Sequence, residues 1–287
     1  MSRSIQGRKS VLFRFARKGT VRAGSAICII FILSALLAPV IAPHDPFAQD
    51  LSGSLTPPSK THLLGQDKLG RDILSRIVYG ARVSLTAGIL AVSFSLLCGV
   101  FLGSLSAYYG GMIDGIVMRV ADIFLAFPGI LLAIGMTAAL GPGLKNVIIA
   151  LSIIGWVGYA RIVRGQILKL REAEFAVAAK ACGLPSMKIL IEHLLPNSLS
   201  PIIIEATFGV ARVIVAEASL SFLGLGVQAP YPSWGSMINE GRFYLFVAPH
   251  LTTIPGLAIM LLVISINFIG DGLRDTLDIK TEEGMIL

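Results

Sequence analysis

Residues 23–42 read AGSAICIIFILSALLAPVIA, an unbroken run without one charged side chain. A helix rises about 1.5 Å per residue. About 20 such residues therefore cross the hydrocarbon layer of a bilayer. Five further apolar runs follow, at 83–107, 122–140, 146–162, 201–227 and 251–269. In hydrocarbon every backbone N–H and C=O must find its partner within the protein, which makes the helix the natural structure for such runs. Composition agrees. Only 14% of the residues are charged and 54% are apolar, whereas soluble domains carry about 25% charged residues. The expected fold class is an all-α integral membrane protein with about six transmembrane helices.

Charge distribution gives orientation. Arg3, Arg8, Lys9, Arg14, Arg17, Lys18 and Arg22 all precede the first run, the pattern of a cytoplasmic flank. The net charge of +7 is therefore no argument for nucleic acid, and no recognition module accompanies it. The first run exceeds the usual length of a signal-peptide core, and Pro43 follows its small-residue end, so an uncleaved anchor is expected. With the amino terminus inside, sixteen basic residues fall on inner segments and seven on outer ones. Both termini are then cytoplasmic. The chain divides into a basic tail (1–22), a first transmembrane helix (23–42), an external loop (43–82), a five-helix domain (83–270) and a cytoplasmic tail (271–287). The shortest run, 146–162, carries Trp156 and Tyr159, expected at a membrane interface.

The external loop begins irregularly, with Pro46, Pro57 and Pro58. Its second half has Leu69, Ile73, Ile77 and Ala81 at helical spacing, which predicts an amphipathic helix on the membrane surface. Asp72 and Arg76 on the opposite side are spaced for an i,i+4 pair. In the second run Ser95, Gly99, Gly103 and Ala107 form a stripe of small residues. It suits close helix packing, either within the chain or against a second subunit. Cys28, Cys98 and Cys182 form no CxxC pair and are expected as small buried hydrophobes, with no metal site.

The inner loop 161–200 contains EFAVAAKACGLPSMKILIEHLLPNS. Alanine-rich 172–181 favours a helix. Gly183 and Pro185 break it, Ser186 is placed to cap a second short helix reaching about Leu194, and Pro196 is expected to stop that one. The product is a helix–turn–helix knob with small side chains suited to a groove on another protein.

Here the sequence resembles the permeases of type I ATP-binding-cassette importers, whose EAA loop has the consensus EAA, three residues, Gly, nine residues, Ile, one residue, Leu-Pro. Glu174 lies in the first of these helices, and Val177, Ala178, Ala179, Gly183, His193, Leu195 and Pro196 fall at that spacing. The Glu and Ile of the consensus are replaced by Val177 and His193. GQDKLGRDILSRIVYGARVSL (65–85), MRVADIFLAFP (118–128), EASLSFLGLGVQAPYPSWGSMI (217–238) and GDGLRDTLD (270–278) are similar to the C-type subunit of dipeptide, oligopeptide and nickel importers. Gln66 stands where that family usually has Thr. The resemblance implies the type I importer fold and location in the cytoplasmic (inner) membrane. It also implies a heterodimer with a B-type permease, two ATP-binding-cassette ATPases using ATP and Mg²⁺, and an external solute-binding protein. This chain has no GxxxxGK[ST] loop and is expected neither to bind nor to hydrolyse ATP. Di- or oligopeptides are the expected substrate, with nickel, glutathione or an opine-like solute as alternatives.

Glu205, Arg212 and Glu217 lie within the run 201–227. Ionisable groups in a span usually face a cavity or each other. Lining a translocation path is one role; pairing with neighbouring helices, or snorkelling by Glu205, is another. Glu205 and Arg212 share a face but sit about 10 Å apart along the axis, so no direct pair between them is expected. Pro128-Gly129 predicts a kink, either a gate hinge or a static bend. An intramembrane serine protease would need a Ser–His pair, yet His44, His62, His193 and His250 all lie outside or at the ends of the runs. An ion-coupled secondary transporter would leave the knob without a purpose.

The charge bias makes a topological prediction. In intact cells without native cysteines, an impermeant thiol reagent should label Ser59→Cys and spare Ser186→Cys. The reverse pattern overturns the orientation.

Overall fold

The computed structural model describes residues 18–283, with side chains described as far as Leu277. The basic residues from Arg3 to Arg17 and the end of the carboxyl-terminal tail, both expected in the cytoplasm, lie outside the described residues. The helices are α1 (Gly19–Leu36), α2 (Ala38–Ile41), α3 (Ile73–Tyr109), α4 (Gly111–Leu125), α5 (Gly129–Leu140), α6 (Leu144–Leu170), α7 (Glu174–Ala181), α8 (Ser186–Ile189), α9 (Leu195–Phe222), α10 (Trp234–Gly241) and α11 (His250–Glu283). No strand occurs among the described residues.

Five helical stretches are long and apolar enough to cross a membrane, and α4 with α5 makes a sixth, broken span bent by 88°. The expected kink at Pro128-Gly129 is thus a near right angle. Pro128 has no N–H to continue the α4 ladder, and it N-caps α5 instead. Connectivity requires this broken passage. Gly143, just before α6, donates to Leu225 at the far end of α9 at 3.2 Å, whereas α4 starts directly after the other end of α3.

The first and last spans run side by side. Lys18 Nζ bonds Asp275 at 2.5 Å, and Gly24 lies so close to Ser265 that an added Cβ would stand 2.7 Å from its carbonyl oxygen. At the opposite end His250, which opens α11, packs on Gly65 of the long loop. The start of α1 and the end of α11 therefore share the end of the bundle that also carries the 171–194 segment.

Several expectations change. The surface helix foreseen before 82 and the span 83–107 are one 37-residue helix, α3, about 55 Å long. No proline interrupts it, and Asp72 caps its start by accepting from Ser75 N at 2.8 Å. Ile73 and Ala81 are buried in protein instead of resting on lipid, against a core with Trp234, whose indole N–H donates to Ile77 O at 3.0 Å. Arg76 is buried too and turns to Asp67, with Nε 3.4 Å from Oδ2; Asp72 is occupied by its cap. The run 146–162 extends to Leu170, so Trp156 and Tyr159 fall mid-helix and are buried in packing, not at an interface. Cys98 and Cys182 are exposed and Cys28 is only partly buried: Cys98 is on an outward face of α3, and Cys182 is the residue that caps α7.

The small-residue stripe is spent within the chain. A Cβ on Gly99 would lie 2.4 Å from that of Tyr159 and 2.7 Å from Trp156 O, and one on Gly103 would lie 2.5 Å from Ala160 O. Ser95 Oγ donates to Ser152 O across the same seam at 3.1 Å. The backbones of α3 and α6 are thus nearly in contact, as small residues permit between membrane helices.

Gly99→Leu should separate α3 from α6 at a cost of about 1–3 kcal/mol or more. The readout is a lower steady-state level and faster proteolysis in isolated membranes. Gly135→Ala, where an added Cβ meets nothing within 4 Å, should behave as wild type; equal behaviour of both variants refutes the seam.

Candidate functional site

Two features stand out, a knob at one end of the bundle and a charged pair halfway along α9. In the knob, α7 ends in a Schellman turn. Gly183 N donates to Lys180 O at 3.0 Å and Leu184 N to Ala179 O at 3.2 Å, with Gly183 at φ +80°. An added Cβ at Gly183 would meet no atom within 4 Å, so its backbone conformation, not space, calls for glycine. Ser186 does not cap the second helix; Pro185 occupies the N-cap and no side chain bonds there.

Pro196 also fails to stop that helix. The turn Leu190–Leu194 widens to π geometry, with Leu195 N bonded to Leu190 O, and α9 begins directly. A wide turn just ahead of a proline shifts the carbonyl its ring would strike. Asn197 Nδ2 then donates to the His193 carbonyl at 2.6 Å. Ser186–Phe222 is consequently one helical stretch of 37 residues. Likewise Arg161 and Arg164 lie on α6, not in the expected loop. Arg164 forks onto Asp114 with two bonds of 2.5 Å, and Arg161 pairs with Asp122. These pairs fasten α4 to α6 beside the knob.

The residues suggested by the EAA resemblance divide by direction. Ala179 and Leu195 turn inward, partly buried, beside Ala176, Ile189, Leu190 and Leu194, against Val163 and Ile167 of α6. Glu174, Val177, Ala178, Gly183 and Pro196 are exposed, and His193 is half-buried. Phe175 is exposed beside them, while Met187 and Ile191 line an apolar groove with Ile32 of α1 and Phe101 of α3; consensus spacing alone singled out none of the three. The knob is therefore clamped on one side, and its other side mixes small and apolar residues with the exposed charges of Glu174, Lys180, Lys188 and Glu192.

On α9, Arg212 donates to Glu205, contrary to expectation. The axial gap is bridged because helical side chains lean toward the N-terminus, which carries the long guanidinium of Arg212 down to the carboxylate. The pair lines a cavity of about 410 Å³ with Tyr159, Gly209 and, from the break between α4 and α5, Gly129. The Arg212 side chain is 60% exposed and that of Glu205 28%. A guanidinium this bare within a span belongs to a wet or protein-covered face, not to lipid. Glu217 is elsewhere: fully buried, it accepts from Ser221 Oγ at 2.7 Å and Ser84 Oγ at 3.2 Å. Its partners are hydroxyls, neither the other two charges nor the cavity, because about 120° of helical rotation separates it from Glu205.

At the far end a charged cluster joins α10 to the head of α3. Arg71 bonds Asp67 through Nε and Glu240 through Nη2, each at 2.6 Å. No local spacing links Arg71 to Glu240, 169 positions away.

Residues 99–283 match the family described as binding-protein-dependent transport system inner membrane component, and residues 8–58 match the N-terminal transmembrane domain of oligopeptide transport permease C. The dipeptide transport system permease protein DppC of Alkalihalophilus pseudofirmus is 48% identical over 90% of this chain and 84% of its own length. Glutathione transport system permease proteins GsiD are similar to a like extent. That of Pectobacterium atrosepticum is 43% identical over 93% of this chain and 89% of its own length. That of Escherichia coli O157:H7 is 44% identical over 93% and 88%. Among solved structures, the inward-facing methionine transporter MetNI shares the fold, with a TM-score of 0.59 and 21% identity over 71% of this chain and 97% of the other. The long apolar spans, the knob and these relatives agree: the chain belongs to the family of binding-protein-dependent transport system inner membrane components, as a C-type permease of the peptide group of ATP-binding-cassette importers.

Proposed function

We propose that this chain is one half of the translocation path of an ATP-driven importer for di- and oligopeptides. The continuous helical stretch Ser186–Phe222 carries the proposal. It joins the second half of the knob to the Glu205–Arg212 pair. Ile191 and Glu205 are fourteen residues apart, about 21 Å along the axis. A displacement of the knob is then transmitted to the cavity along one continuous helical stretch, which is how packed helices gate as bodies.

The partners follow from the knob's surface and the family. Exposed Val177, Ala178 and Phe175 dock in a groove of one of two ATPase subunits, which supply ATP hydrolysis with Mg²⁺. A B-type permease closes the other side of the path, and an external binding protein delivers the ligand. The knob faces the cytoplasm and both termini lie with it. Substrate class rests on charge. A peptide carries an ammonium and a carboxylate, and the cavity presents one carboxylate and one guanidinium. Glutathione, itself a peptide, fits the same chemistry and is named in several relatives; nickel has no such support.

Two tests follow. Gly183→Val places a β-branched residue at φ +80°, where only glycine is at ease. It should leave the chain inserted but lower peptide uptake at least about tenfold, with ATPase copurification lost or hydrolysis uncoupled. Ala178→Asp should act alike by burying an unpaired charge in the contact. Wild-type uptake and ATPase association in both variants would show that the knob is not the coupling element. Separately, Glu205→Gln and Arg212→Gln should each lower dipeptide uptake while the complex still purifies intact. Normal uptake in both variants would make the pair peripheral, and loss of assembly would make it structural.

A further inference from the structure

The segment between α2 and α3 brings together His44, His62 and Asp72, three residues with no part in the transport scheme above. One donor atom from each lies within 4.8 Å of the other two. The arrangement is fixed from several sides. His44 N donates to Ser75 Oγ at 3.1 Å and His62 N to Ser59 Oγ at 3.0 Å. Asp72 Oδ2 accepts from the backbone N–H and hydroxyl of Ser75 at 2.8 and 2.7 Å.

Hydrogen-bond chemistry assigns the protons. His44 Nε2 lies 2.9 Å from Thr61 O. A carbonyl only accepts, so Nε2 carries the proton and Nδ1 keeps a lone pair. His62 Nδ1 lies 2.9 Å from Asp72 Oδ1, an acceptor as well, so His62 Nε2 keeps its lone pair. Each ring thus holds one nitrogen as a donor to a fixed acceptor and leaves the other bare. A histidine whose second nitrogen donates to a carboxylate is the usual state of a metal-binding imidazole, because the carboxylate orients the ring and raises its basicity. The two rings lie 4.5 Å apart at an interplanar angle of 32°.

We propose that His44 and His62, with Asp72 behind His62, form a binding site for a divalent transition-metal cation such as Zn²⁺. Imidazole donors select this class over Mg²⁺ and Ca²⁺, which prefer all-oxygen sites. Bonds of about 2.1 Å need donor atoms about 3.4–4.2 Å apart. Donor atoms of the three residues lie within 4.8 Å of one another, so they close by at most about 1.4 Å on binding, which the exposed, loop-borne His44 permits. The cation ties the start of the loop, its middle and the cap of α3 together. Because His44 is exposed, coordination positions remain open toward solvent.

The test uses the full chain assembled with its partner subunits in lipid nanodiscs, without a polyhistidine tag. Zn²⁺ uptake is measured by competition with a fluorescent chelator. Wild type should bind one ion more per copy of this chain than His44→Gln or His62→Gln, and Mg²⁺ should not compete. Asp72→Asn keeps a helix-capping side chain but weakens the hold on His62, so affinity should fall by about 10–100-fold with little change in melting temperature. Should His62→Gln melt early without zinc, His44→Gln decides alone, since the exposed ring it removes makes a single hydrogen bond. Equal Zn²⁺ uptake by wild type and His44→Gln overturns the proposal.

Discussion

The near-contact of α3 and α6 at Gly99 and Gly103 is the constraint on which the bundle rests. Lipid gives helices no hydrophobic reason to associate, so packing area and interhelical bonds must hold them. With no side chain on α3 at these positions, Tyr159 and Ala160 of α6 come within what would be clashing distance of a Cβ. That approach fixes the spacing of two long helices. The others are then placed against them: α9 and α11 across the face with Trp234, and α4 by its two arginine pairs to α6.

Charge in this molecule is used in three ways, each set by its surroundings. Glu217, fully buried, is held by two serine hydroxyls and joins α9 to α3. Arg71 and Asp67 form a buried cluster with Glu240 that fastens α10 to the head of α3. Arg212 and Glu205 instead look into a cavity. The last pair lies on the same helical stretch as the knob.

The membrane class and the number of spans were legible in the sequence, because apolar length is a local property that the bilayer thickness reads directly. So was the knob's turn: Gly183 after an alanine-rich helix has few alternatives to the left-handed conformation it adopts. The outward character of Val177 and Ala178 came from family spacing. Other features were misread for identifiable reasons. Pro196 has the signature of a helix stop, yet a π turn five residues wide absorbs it. Arg161 and Arg164 counted as loop charges, yet Asp114 and Asp122 accept them and let α6 continue. The face of Ile73 and Ala81 suited a membrane surface as well as a protein core, and periodicity cannot tell the two apart.

By itself the sequence determined which segments are helical and apolar, where glycine must turn the chain, and that no phosphate-binding loop is present. These follow from composition and spacing within about 20 residues. The tertiary structure alone decided which charges meet. Arg71 finds Glu240 from 169 positions away, His44 and His62 stack across a loop, and Glu217 turns inward while Arg212 turns to the cavity. A charge or an imidazole buried without a partner is costly, so its partner is selected by three-dimensional proximity, and no local pattern in the chain records that choice.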